Sequence, residues 1–161
     1  LEVRCQAIGE TNEEGEANAE QATPPPLPTD TKCELRIACA RSLGMIGDEA
    51  SLPALADSMS EAKEPNLNVR TAAAYALGNI ARRVFENSQA TSIVNCLIDA
   101  LNDEVGDVRA AALHSLGFVS IPKQSEARVQ ETLTNSLNDD FYWAREAARD
   151  TMKKLNIAEA Q

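Results

Sequence analysis

Aromatic side chains are scarce in this sequence: three Phe, two Tyr and one Trp, or 4 % of 161 residues. Sheets draw on β-branched and aromatic residues to fill a pleated surface, so a large sheet is a poor fit. Alanine is abundant instead; it is the best helix former and lets helices approach closely. Histidine is scarcer still. The lone His114, and the lack of any Cys-x-x-Cys pair among Cys5, Cys33, Cys39 and Cys96, remove the usual zinc ligand sets. Cys39 and Cys96 fall in apolar helical patterns and are expected as buried, structural thiols. Reduced thiols suit the cytoplasm. No apolar run is long enough to span a bilayer. No segment has the pattern of a secretory leader, and because the chain starts at Leu1 rather than at methionine, upstream sequence is expected.

Positive charge is also in short supply. Fifteen Lys and Arg stand against 25 Asp and Glu, a formal net charge of −10. Duplex-binding surfaces are basic because their affinity comes from neutralising phosphates. Nucleic acid is therefore not an expected partner, and neither is an anionic membrane. The balance suits a soluble protein or a protein partner with a basic surface.

What the chain does have is a repeat. Four segments align: LRIACARSLGMI from Leu35, VRTAAAYALGNI from Val69, VRAAALHSLGFV from Val108 and AREAARDTMKKL from Ala144. Each has arginine at its second position (Arg36, Arg70, Arg109, Arg145), at spacings of 34, 39 and 36 residues. Three residues on comes Cys39, Ala73, Ala112 or Ala148, and seven on comes Leu43, Leu77, Leu116 or Met152. These spacings share one helix face. Gly44, Gly78 and Gly117 follow, with Lys153 in the last copy. Each glycine precedes another apolar residue, so it reads as helical and chosen for close packing, at a cost of about 1 kcal/mol against alanine. A second helix follows in each copy, marked by Leu55/Met59, Leu97/Leu101 and Leu133/Leu137. The expected A helices lie near 31–46, 67–85, 106–120 and 140–156, and the B helices near 49–61, 88–102 and 125–138. Six residues before each repeat arginine stands an acid: Asp30, Glu64, Asp103 or Asp139. Such acids can cap a helix N-terminus, or pair with arginines of neighbouring repeats to form a structural ladder.

The V/L-R-x-x-A/C-x-x-x-L-G blocks, with the L-x-D/N-A/S-L/M blocks after them, resemble the HEAT family, and in particular the short repeats found in phycobiliprotein lyases. The resemblance covers residues 30–157 and implies an all-α fold: an α-solenoid of antiparallel helix pairs wound as a right-handed superhelix. It implies little about function, because the matched positions are packing positions. Residues 1–10 read as the tail of a truncated repeat, with Ala7-Ile8-Gly9 matching Ala76-Leu77-Gly78; this is what a piece of a longer repeat array would give. Residues 11–29 read as an acidic, Pro-rich loop or linker, since Pro24, Pro25, Pro26 and Pro28 stop helices. Residues 158–161 form a tail.

Catalysis finds no support in the sequence. His114 and Ser115 are adjacent, so on a helix they do not face one another, and His114 reads as a surface or packing residue. No Gly-rich phosphate loop occurs. No cofactor and no metal site are expected. The residues point to a non-enzymatic interaction module, a scaffold or adaptor that binds a partner along its concave side. In HEAT solenoids the B helices line that side, which nominates Asp57, Asp99 and Asn135, with Asn95, Glu131 and Thr132 beside them. The alternative implied by the resemblance is a relative or subunit of a phycobilin lyase, which attaches a bilin chromophore to phycobiliproteins. Phe141-Tyr142-Trp143 holds three of the six aromatics and reads as a cover for the last repeat's core or as an anchor for a partner.

Overall fold

The computed structural model describes residues 29–83 and 87–158. Seven α-helices make up the described residues: α1 Thr29–Ile46, α2 Leu52–Met59, α3 Leu67–Ala81, α4 Asn87–Asp99, α5 Gly106–Leu116, α6 Lys123–Ser136 and α7 Tyr142–Leu155. Single 3-10 turns precede α2 (Glu49–Ser51) and follow α4 (Ala100–Asn102). α1, α3, α5 and α7 are the repeat-arginine (A) helices, and α2, α4 and α6 the B helices. The assumed tail and loop of residues 1–28 lie outside the described residues, except that α1 already begins at Thr29 and takes in Asp30.

The two layers of this all-α solenoid are built differently. Each A helix packs extensively on the next, α1 on α3, α3 on α5 and α5 on α7, whereas α2, α4 and α6 touch one another sparsely. The cause is the glycine. A Cβ on Gly44 would lie 2.7 Å from Ala76 Cα, and one on Gly78 would lie 2.7 Å from Ser115 Oγ and 3.1 Å from Ser115 Cα. Only a residue without a side chain lets these backbones meet, and the residue facing it is small in each case (Ala76, Ser115). Gly44 and Gly78 are helical as the sequence suggests, but Gly117 is the C-cap of α5 rather than part of it.

The core runs along the stack between the layers. Val69, Ala73 and Leu77 of α3 are buried, as are Val108, Ala112 and Leu116 of α5, and Leu55, Leu97 and Leu133 enter from the B helices. Burial at roughly 25 cal/mol per Å² of apolar surface is the main term holding such repeats together. At the N-terminal end α1 has no described neighbour on its far side. Leu35 and Ile46, equivalent to the buried Val69 and Ile80, stand 56 % and 83 % exposed. Cys39 is exposed for the same reason, which corrects the expectation of a buried thiol; Cys96 is half-buried between the B helices, and burial pushes its thiol pKa up.

Arginines and acids form the ladder. The Nε of Arg36, Arg70 and Arg109 donates at 2.7–2.8 Å to Glu64, Asp103 and Asp139, the acid before the next A helix, and Nη2 donates to the other oxygen of the same carboxylate. Nη1 of Arg70 and Arg109 turns back onto the two carbonyls that follow the preceding rung, Glu64 and Pro65 or Asp103 and Glu104. The carboxylates serve twice, since Glu64, Asp103 and Asp139 also accept from the backbone N–H two residues on, at Asn66, Val105 and Phe141. One acid thus fixes both the turn into a helix and the spacing to the previous repeat.

Candidate functional site

The nominated B-helix residues are all on the surface. Asp57, Asp99, Glu131 and Asn135 are exposed, and Asn95 and Thr132 are half-buried. The row does not act as a free acidic ladder. Lys63 Nζ lies 2.6 Å from Asp57, and Arg128 reaches across from α6 to donate to Asn95 at 2.8 Å and to face Asp99 at 3.6 Å. Asn95 and Asp99 are thus brought together by Arg128, a residue the sequence reading passed over. Asp57 stands apart from them with its own lysine. Backbones approach most closely in the A layer, and the B helices meet one another more loosely.

Two clefts open between α2 and α4, as expected of a splayed layer. One of about 340 Å³ is lined by Met59, Cys96, Asp99 and Asp103; the other, about 250 Å³, reaches Leu77 between Leu52, Pro53 and Ile93. The second is the more apolar, yet it falls below the ~300–1,000 Å³ typical of small-molecule sites.

The A-helix side carries the more distinctive surface. Counted from each repeat arginine, positions −2, +1 and +5 lie on one helix face, opposite the core positions −1, +3 and +7. They supply Asn68, Thr71 and Tyr75 from α3, Asp107, Ala110 and His114 from α5, and Trp143, Glu146 and Asp150 from α7. These nine residues are brought together. Thr71 and Tyr75 join two cavities, about 450 Å³ against α1 and about 360 Å³ across α5 and α7. Three carboxylates line the second, with His114 and no lysine or arginine.

Trp143 and Tyr142 are 63 % and 53 % exposed, so of the three terminal aromatics only Phe141 covers core. His114 sits edge-on between Tyr75 (5.9 Å) and Phe118 (5.0 Å). Its pKa is lowered by burial, then by Lys154 and Arg82, both stacked on the Phe118 ring. Ser115 is turned away from it, against Gly78. Asp107 has no ion pair or hydrogen bond among the described residues. Glu146 pairs with Arg149 in a half-buried i,i+3 contact, and Asp150 lies 3.7 Å from Lys153 in an exposed one. The exposed pair is weak and opens readily to a competing cation. The sequence carried a signal for this surface: the −2, +1 and +5 positions are where the copies differ while their packing positions agree.

Among the described residues no three His, Cys, Asp or Glu are placed to hold a metal. No described helix is long and apolar enough to cross a membrane. The family model for HEAT repeats matches residues 25–90 and again residues 60–153. No curated protein matches the sequence.

Proposed function

Because the chain belongs to the HEAT-repeat family, whose repeats generally mediate protein–protein interaction, we infer that it is a non-enzymatic interaction module and that its A-helix face, rather than the B-helix side nominated from the sequence, receives a basic segment of another protein. One observation carries this reading. Asp107, Glu146 and Asp150 share a groove with the exposed rings of Tyr75 and Trp143. A lysine or arginine there gains carboxylate partners and a ring face together, and a cation over an aromatic ring contributes about 0.5–2 kcal/mol. Net charge of −10 adds long-range steering of a basic partner. The row at Asp57, Asn95, Asp99, Glu131, Thr132 and Asn135 has paired acids as well, with Lys63 and Arg128, but no such rings.

Trp143 is the only tryptophan, so its fluorescence reports on the groove without labels. Titration with a short Lys/Arg-rich peptide should shift the emission saturably, and Asp107→Lys with Asp150→Lys should abolish the shift. Equal responses to a Lys/Arg-rich and an Asp/Glu-rich peptide would count against the groove. The phycobilin-lyase alternative predicts a visible-absorbing complex on addition of a linear tetrapyrrole; an adaptor leaves the bilin spectrum unchanged.

A further inference from the structure

Among the described residues the ladder ends at Arg145. Arg145 is held as Arg70 and Arg109 are, with Nη1 donating to the Asp139 and Asp140 carbonyls at 2.6 and 3.0 Å. In the inner rungs this grip points Nε and Nη2 at a carboxylate that also accepts a backbone N–H at the head of the next helix. On Arg145 that edge meets no carboxylate among the described residues. Beside it, Tyr142 places its ring 5.7 Å from the guanidinium carbon, and the Tyr142 and Trp143 rings are both exposed.

We propose that the Nε/Nη2 edge of Arg145 is a binding site for the carboxylate of an Asp or Glu at the head of a helix in a partner protein. Three rungs of the same molecule define the ligand. Each takes a carboxylate with two parallel N–H···O bonds, the geometry in which arginine binds most strongly, and each carboxylate is completed by a helix-head amide. The arginine is pre-positioned by two carbonyls, so little side-chain freedom is lost on binding. A stacked copy of the repeat is the poorer occupant. Its A helix needs a glycine to approach, and Lys153 stands where Gly44, Gly78 and Gly117 stand in the other copies. A helix arriving end-on needs no such approach, and it can lay its first turn against Tyr142 and Trp143.

The test uses the whole chain and two synthetic peptides. One reproduces residues 101–118, which carry Asp103 at the head of a helix; the other has Asp103→Asn. Arginine Nε–H resonances are followed by 15N-correlated NMR. The Arg145 signal should shift saturably with the first peptide and not with the second, while the exposed Arg41 signal stays still. Arg145→Lys should weaken binding of the first peptide at least tenfold, read from Trp143 fluorescence, because an ammonium cannot make two parallel bonds to one carboxylate. The proposal is overturned if Arg145 moves no more than Arg41, if the Asn peptide binds as well, or if Arg145→Lys binds as the wild type does.

Discussion

Replacing the ladder arginines one at a time should produce losses graded by burial. Arg70 and Asp103 have side chains only 2 % and 3 % exposed, with Nε 2.7 Å from the carboxylate. Truncation to Arg70→Ala leaves the Asp103 carboxylate buried with only the Val105 N–H at 2.9 Å. The carbonyls of Glu64 and Pro65 each lose a donor as well. Stranding one partner of a buried ion pair costs about 3–5 kcal/mol, a large share of the ~5–15 kcal/mol that keeps a domain folded. Arg109 and Asp139 are 13 % and 12 % exposed, so Arg109→Ala should cost less. Arg36 is 45 % exposed, and Arg36→Ala should cost least. Removing both partners, as in Arg70→Met with Asp103→Leu, should recover much of the loss, because no buried charge is then stranded. Urea unfolding followed by circular dichroism at 222 nm measures all four. A loss under about 1 kcal/mol for Arg70→Ala, against the range expected for a buried pair, would refute the reasoning. So would a loss for Arg36→Ala equal to that for Arg70→Ala.

Other outcomes follow from the same geometry. Leu116 is fully buried, and Leu116→Ala should cost about 2–5 kcal/mol in urea by leaving a cavity. Gly78→Ala should destabilise despite its better helix propensity, because overpacking against Ser115 at 2.7–3.1 Å costs about 1–3 kcal/mol and the propensity gain is about 1 kcal/mol. Ser115→Ala removes a buried hydroxyl that has no hydrogen-bond partner among the described residues, and its thermal midpoint should stay level or rise. Hydrogen bonds from Arg109 hold the Asp139 carboxyl below its ordinary value, against the opposing effect of burial. A folded pKa below the unfolded one contributes stability that is complete above the carboxylate range, near pH 4, and is lost as pH falls through the folded value. Urea midpoints between pH 7 and pH 3 should therefore fall less steeply for Asp139→Asn than for wild type.

Periodicity made the architecture legible because the packing positions are the repeated ones. Val69, Ala73 and Leu77 recur in kind at Val108, Ala112 and Leu116 and are buried together. The acid six residues before the arginine was visible too: Glu64, Asp103 and Asp139 pair with the arginine of the preceding repeat, and instead of capping the helix each accepts the N–H of its N-cap residue. Which layer packs more closely was harder to see, because that is decided between repeats, where Gly44 meets Ala76 and Gly78 meets Ser115. A single copy shows the glycine but not the residue it faces. Cys39 reads as buried from its own helix and is exposed because α1 has no described neighbour on that side. Arg128 escaped notice since it belongs to no repeated position, yet it reaches Asn95 and Asp99 across two helices. Tyr75 and His114 share the +5 position and Trp143 stands at −2, and only stacking brings the three to one groove.

Affinity capture from a native lysate with three baits tests the central claim most directly. The baits are the wild-type chain, Asp107→Lys with Asp150→Lys on the A-helix face, and Asp57→Lys with Asp99→Lys on the B-helix face. Mass spectrometry should find a protein retained by the wild type and by the B-face variant but lost from the A-face variant, and a peptide scan of that protein should place the contact in a basic segment. Retention by the A-face variant and loss from the B-face one would contradict the account and return the binding surface to the B helices.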